Sequence, residues 1–289
     1  FWENVARGRD CISEIPSSRW SLDHFYDPDP KAPGKTSSKW MGMLEDIDKF
    51  DPLFFSITPA EAELMDPQQR LFLKNCWHCI EDAGISPASL SGTRCGVFVG
   101  CAPSDYGQFA GAGGMNAQGL LGGATSILSA RISYLLNLKG PCLSIDTACS
   151  ASLVAIAEAC NGLILRDCDL ALAGGVCVMP GPGAHIMTSK AGMLSKDGRC
   201  FTFDQRANGF VPGEGVGVVL LKRLADAVRD SDPIYGVIRG WGVNQDGKTN
   251  GITAPSVNSQ IGLETEVYRR FNIDPRSISL VEAQGPGPS

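Results

Sequence analysis

Residues 140–164 run GPCLSIDTACSASLVAIAEACNGLI, and their pattern changes character at DTAC. Pro141 to Ile145 is a short apolar run of strand length. From Ser150 onward Leu153, Val154, Ile156, Ala157, Cys160, Leu163 and Ile164 cover nearly every face of a helix, which marks a helix inside the molecule. The arrangement puts Cys149 on a sharp turn between a buried strand and the first turn of a buried helix. Backbone N–H groups without intrahelical partners gather there, and with the positive end of the helix dipole they favour a thiolate over a thiol. The position is that of a nucleophile.

The bland alternative is that Cys149 is one more small core residue, because Cys is among the most buried residue types and the chain holds 11 of them. Placement argues against it: the others lie within apolar runs or polar loops, and none has such a turn. Further out, strand-like runs at 96–100, 141–145, 170–178 and 216–221 alternate with helical patterns at about 117–136, 150–165 and 222–230. That alternation predicts a layered α/β domain. Residues 59–84 carry one strong helical signal, opened by Pro59 with Glu61 and Glu63 and closed by Gly84. A second set follows: a strand over Ile234–Gly242, a helix near 256–271 and a short strand over Ser279–Ala283. Residues 1–40 are polar, Pro-rich and aromatic, and DPDPKAPGKTSSKW (27–40) predicts an extended surface loop.

Composition narrows the class. A formal net charge of −6 gives no electrostatic footprint for nucleic acid. Hydrophobic residues make up 43% of the chain, and no apolar run approaching the ~18 residues of a bilayer span is expected, so a soluble globular protein without membrane contact is predicted. An odd number of cysteines without disulfide-framework spacing predicts a reducing, cytoplasmic compartment. The lack of an initiating Met suggests a piece of a longer polypeptide.

DTACSAS followed by LVAIAEAC resembles the nucleophile motif of the β-ketoacyl synthases, specifically the ketosynthase domains of modular polyketide synthases. MDPQQRLFL (65–73), GVFVG (96–100), ALAGGV (171–176), FDQRANGFVPGEG (203–215) and GVNQDGKTNGITAPS (242–256) follow the order of that family, so the likeness covers essentially the whole chain. It implies a thiolase-like layered αβαβα fold of two similar halves. Residues 1–289 would be a single ketosynthase domain incomplete at both ends, about 1–230 being the first half and about 231–289 the start of the second. It further implies that Cys149 takes an acyl group from an acyl carrier protein by transthioesterification. Two histidines then help a malonyl-type extender lose CO2 and attack the thioester. No cofactor or metal is implied; the substrate arrives on the 4'-phosphopantetheine arm of the carrier protein. Other polyketide synthase domains are expected as partners, and the parent is expected to be a homodimer.

The first family histidine falls in a segment written EAHGTGTP, where this chain has EAQGPGPS at 282–289 and Gln284 holds the histidine position. An amide has no useful proton affinity near neutral pH, though it donates a hydrogen bond. Pro286 and Pro288 replace threonines that, in the family, face the pantetheine arm. One implication is a non-elongating ketosynthase that only transfers acyl chains. Against it, all four departures are single-base changes within the last six residues, which points to an imperfect sequence end. The second histidine and the glycine loop of the oxyanion hole are expected beyond 289. A rival class is the catalytically silent homologue that shapes a partner's cavity; such chains typically lack the cysteine, whereas Cys149 is present in an unbroken motif.

Other candidates are weaker. Cys76, His78 and Cys79 spell CWHC, but no second ligand pair follows, so packing within the 59–84 helix is expected. His24 is expected in solvent. A Cys149–His185 dyad is conceivable, but the family has a substrate-channel loop around His185. GAGGMNAQGLLGG (111–123) lacks the context of a nucleotide loop and suits close packing or a loop near the dimer interface. Glu214 is assigned support of the site, not catalysis.

Overall fold

The computed structural model describes residues 1–109, 115–251 and 254–284. In chain order the elements are α1 (Trp2–Ala6), β1 (Ile12–Glu14), α2 (Leu22–Phe25), β2 (Trp40–Gly42), α3 (Pro59–Leu64), α4 (Pro67–Asp82), β3 (Cys95–Gly100), α5 (Ala117–Gly123), α6 (Thr125–Leu135), β4 (Cys142–Ile145), α7 (Ala151–Leu165), β5 (Leu170–Cys177), α8 (Gly183–Lys190), β6 (Gly215–Lys222), α9 (Leu224–Arg229) and α10 (Val257–Arg270). The main sheet has the order β4-β3-β5-β6. β3 is parallel to β4 and β5, with Gly100 opposite Ile145 and Gly175, and β6 closes the other edge antiparallel to β5.

Strand alternation sorts the core into two layers. Val97, Val99, Leu172 and Val176 face Phe72, Cys76 and Ile80 of α4 and Leu128 and Ile132 of α6. Phe98, Ala171 and Ala173, on the opposite face, meet Ala155, Ala159 and Leu163 of α7. Small residues on that second face let the helix sit close to the sheet.

Several expectations change. The 59–84 helix is two helices, because the Asp66 carboxylate accepts the Gln68 N–H at 2.8 Å and Pro67 opens a new helix. The 117–136 helix is broken at Ala124: the buried Gln69 amide donates to the carbonyls of Leu121, Gly122 and Ala124, taking them away from the helical ladder. Within 27–40 the stretch Thr36–Ser38 is buried rather than on the surface, since Ser37 N–H donates to Ser189 Oγ at 2.8 Å and Ser38 Oγ donates to the Ser195 carbonyl at 2.7 Å.

Neither 234–242 nor 279–283 is a strand, because the described residues supply no neighbouring strand to pair with them. The burial expected around the DTAC turn is not found: α7 is covered by the sheet on one face only, with Leu153 and Leu165 71% exposed, and β4, an edge strand of the sheet, leaves Cys142 and Leu143 exposed. The window Ala148–Leu165, 18 residues with mean hydropathy 1.6, is apolar enough to span a bilayer by length and composition, contrary to expectation. Here it is the helix on which the second core layer is built.

Candidate active site

β4 ends at Ile145, and the chain must then reverse within a few residues to start α7. Asp146 Oδ1 accepts the Ala148 N–H at 3.0 Å, and Ala148 takes the left-handed conformation at φ 55°. A left-handed non-glycine residue costs about 1–2 kcal/mol, and the turn is held by its surroundings. Ser150 Oγ donates to the Thr147 carbonyl at 2.9 Å, so this hydroxyl does not cap the helix. The chain enters α7 through a 3₁₀ turn over Ala148–Ser150, the Ala151 N–H donates to the Ala148 carbonyl, and no side chain caps the helix. Cys149 stands at this point, open to solvent.

Two glycines let the head of α7 press onto the strands. A Cβ on Gly100 would stand 2.4 Å from the Ala151 carbonyl carbon and Ser152 N, and one on Gly175 would stand 2.7 Å from Ser152 Cβ. GVFVG and ALAGGV thus carry glycine where the nucleophile helix lands.

Cys149 lies at the carboxyl ends of the parallel strands, where open α/β sheets bind ligands. Polar side chains tie the loops of this rim together. Gln68 donates from Nε2 to the Ala102 carbonyl at 3.0 Å, just after β3, and its Oε1 accepts the Val178 N–H at 3.2 Å, just after β5. Asp105 accepts the N–H groups of Gly181 and Gly183 at 3.1 and 3.0 Å. Burial pushes the Asp66 carboxyl up from its ordinary value, against the opposing hydrogen bonds from Ser104 and the Gln68 N–H. Glu214 is fully buried in an ion pair with Arg19 and accepts the N–H groups of Leu44 (2.9 Å) and Met179 (2.8 Å). It therefore fixes the chain leaving β5, as a support and not a reacting group.

The remaining candidates resolve on geometry. His185 is buried; its Nδ1 lies 3.0 Å from Thr36 Oγ1, its Nε2 lies 3.3 Å from the Trp40 carbonyl, and Trp20 packs edge-on at 5.6 Å. Burial pushes its pKa down and keeps the ring neutral. It makes no hydrogen bond to Cys149, so the dyad is not formed. Cys76 is in the core, Trp77 packs against Phe54 and Phe55, and among the described residues no cluster suited to a metal exists. His24 is exposed, as expected. Gln284 is exposed and shares no hydrogen bond with Cys149. Pro286, Pro288 and residues 111–114 of the glycine-rich stretch lie outside the described residues. Sequence reasoning missed the Gln68 bridge, the role of Gly100 and Gly175, and Arg19. The glycines could have been suspected from their place at the ends of two strand-like runs; Arg19 carries no local signal.

The profile of the beta-ketoacyl synthase N-terminal domain matches residues 1–227, and that of the C-terminal domain matches 235–289. The chain belongs to the beta-ketoacyl synthase family. It is 50% identical over 290 residues to the polyketide synthase PksL of Bacillus subtilis, covering 99% of this chain and 6% of that protein. It is 48% identical to a phenolphthiocerol/phthiocerol polyketide synthase of Mycobacterium tuberculosis, covering 99% of this chain and 19% of that one. Among solved structures, the ketosynthase from module 6 of the bacillaene synthase of Bacillus subtilis matches with TM-score 0.86 and 49% identity, over 96% of this chain and 46% of that one. The oxazolomycin ketosynthase domain of Streptomyces albus matches with TM-score 0.90 and 42% identity, over 95% and 49%. The chain thus spans just under half of the solved ketosynthases and a small part of the synthases. The thiolase-like layered α/β fold is shared, and the relatives are ketosynthases of polyketide synthases.

Proposed function

We propose that Cys149 is the acyl-accepting nucleophile of a polyketide synthase ketosynthase, an acyltransferase of the β-ketoacyl-[acyl-carrier-protein] synthase type. The observation that carries this is an exposed thiol on a left-handed turn at the head of a helix seated on Gly100 and Gly175. In the transfer, the Cys149 thiolate attacks the carbonyl carbon of an acyl thioester. The thioester oxygen becomes negative in the tetrahedral intermediate, and the positive end of the α7 dipole favours that charge. Collapse expels the pantetheine thiolate of the acyl carrier protein and leaves the acyl group on Cys149. Decarboxylative Claisen condensation with a malonyl-type extender then follows. The family's arrangement supports carrier-protein and synthase domains as partners and a homodimeric parent. Eleven free cysteines fit a reducing cytoplasm.

The test is to incubate the protein with an acyl thioester and weigh it. A mass increase of one acyl group, mapped to Cys149, supports the reading; acylation elsewhere, or none by an otherwise folded parent domain, overturns it.

Gln284 favours a second reading, transfer without elongation. A parent confirmed to carry Gln284 is expected to load Cys149 yet to release CO2 from malonyl carrier protein about 10²- to 10³-fold more slowly than a His-bearing relative, because a positioned group for enolate formation is gone. Robust elongation with Gln284 in place rejects that reading and leaves the nucleophile assignment standing.

A further inference from the structure

Two thiols converge at the head of α7. Cys177 is the last residue of β5, and like Cys149 it is open to solvent. α7 leaves the carboxyl end of β4 and returns the chain to the start of β5, and those strands run parallel through β3, so α7 runs antiparallel to β5. Ser152 fixes the level of contact, since its Cβ lies 2.7 Å from where a Gly175 Cβ would stand. From that point, three residues back, through the 3₁₀ turn Ala148–Ser150 that leads into α7, is Cys149, a rise of about 4.5–6 Å. Two residues forward along the strand, on the same face as Gly175, is Cys177, a rise of about 6.6 Å in the same direction. Both thiols therefore arrive at the same end of the α7–β5 contact, from facing backbones brought unusually close by glycine.

The electrostatics agree with that placement. Desolvation by the surrounding atoms pushes the Cys177 thiol up from its ordinary value, and the charges of Glu214 and Cys149 push it further. Cys177 is thus kept protonated at neutral pH, so it does not compete as a nucleophile for acyl groups.

We propose that Cys177 is a resolving thiol that captures Cys149 when Cys149 is oxidised, making the nucleophile a reversible redox site. A hydroperoxide accepts the attack of the Cys149 thiolate on its outer oxygen: the O–O bond breaks, Cys149 becomes a sulfenic acid, and the peroxide leaves as water or alcohol. The Cys177 sulfur then attacks the sulfenic sulfur, an S–S bond forms, and hydroxide leaves with the Cys177 proton as water. A dithiol reductant returns both thiols. The disulfide blocks acyl loading but protects Cys149 from irreversible sulfinic and sulfonic states. A bridge needs Cα atoms within about 7 Å, a reach that the seating of Ser152 on Gly175 favours.

The experiment treats the protein with hydrogen peroxide, digests it with trypsin without reduction, and sequences the linked peptides by mass spectrometry. Cleavage after Lys139, Arg166 and Lys190 separates Cys149 from Cys177. The expected result is a fragment 140–166 joined to 167–190 through Cys149 and Cys177, with iodoacetamide labelling of Cys149 lost and then restored by dithiothreitol. In Cys177→Ser the same exposure carries Cys149 to sulfinic and sulfonic acid, and dithiothreitol recovers less than a tenth of the labelling. No link, a link through Cys142 instead, or equal recovery in the variant overturns the proposal. The readout is alkylation and not acyl transfer, so the result stands apart from that of the ketosynthase reading.

Discussion

Leu170–Cys177 and Ile234–Gly242 are both apolar runs bounded by turn residues, yet only the first is a strand. The first is paired on both sides, by β3 and β6, and carries a helix on each face. The second has no strand beside it among the described residues, and Tyr235, Val237 and Val243 around it are exposed. Between the first run and α4 lies an apolar core; beside the second, Ile156, Ile164, Val219, Ile234 and Ile238 line an apolar cleft of about 780 Å³. β structure is a property of pairs, so equivalent local sequence gives different local structure when the neighbour differs. The chemistry follows the same division: Cys149 is held by the region that is paired, and Gln284 lies in the region that is not.

Altering one residue from each side puts this division under the most severe test. Cys149→Ala removes the thiol proposed to hold the acyl group and is expected to cut acyl loading by about 10³-fold or more, with the circular dichroism spectrum unchanged. Gln284→Ala is expected to leave loading within about twofold, because transfer needs a thiolate and a stabilised oxyanion, and the exposed Gln284 shares no hydrogen bond with Cys149. Loading measured by mass that survives Cys149→Ala, or collapses in Gln284→Ala, reverses the division.

Next in size are the carboxylates. Glu214→Ala leaves the nearly buried Arg19 guanidinium without its anion and frees the N–H groups of Leu44 and Met179. Breaking such a pair costs about 3–5 kcal/mol. Glu266→Ala removes the partner of Arg269 in a pair well exposed to water, a change worth about 0–1 kcal/mol. Urea unfolding of the two variants is expected to separate them clearly; equal midpoints contradict the clamp.

Glycines carry the contrast to a smaller scale. Gly100→Ala drives a methyl into the backbone of Ala151 and Ser152. The overpacking costs about 1–3 kcal/mol, and a displaced helix head is expected to slow loading about 10²-fold. Gly236 has open space where its Cβ would be, so Gly236→Ala is expected to stay within about 0.5 kcal/mol. Loading kinetics on both variants distinguish a seated helix from one that merely follows the turn.

What the sequence disclosed was local. The strand, turn and helix around Cys149 were legible because apolar periodicity and the break at DTAC lie within 25 consecutive residues. The other sheet strands showed for the same reason. The clamp did not, because Arg19 and Glu214 are 195 positions apart and Arg19, unlike Glu214, sits in no unusual local pattern. Thr36–Ser38 read as a loop by composition, yet their polar atoms find partners across 152 and 157 residues, which offsets the cost of burying them. Cys177 was passed over because a thiol at a strand end is ordinary until the helix opposite it is known.

The smallest expected effect is a pH dependence. His185 has its pKa pushed below the ordinary 6.5 by burial, so the folded ring resists the proton that the unfolded chain accepts. Between about pH 6.5 and the lower folded value the unfolded state binds more protons, and stability therefore falls as pH falls through that window, by at most about 1.4 kcal/mol per pH unit. Asp66 acts in the opposite sense: its pKa is raised above 3.8, so acidification through the raised value favours the folded state. The two are separated by difference. Unfolding free energies measured from pH 7.5 to 5 are expected to decline more steeply for the native chain than for His185→Gln, which has no ring to protonate. The variant also loses a packed ring, so it starts lower at pH 7.5; the slope, not the starting value, carries the test. Parallel slopes would mean that His185 titrates in the folded protein, and that the buried polar junction at Thr36 and Trp40 opens to admit its charge.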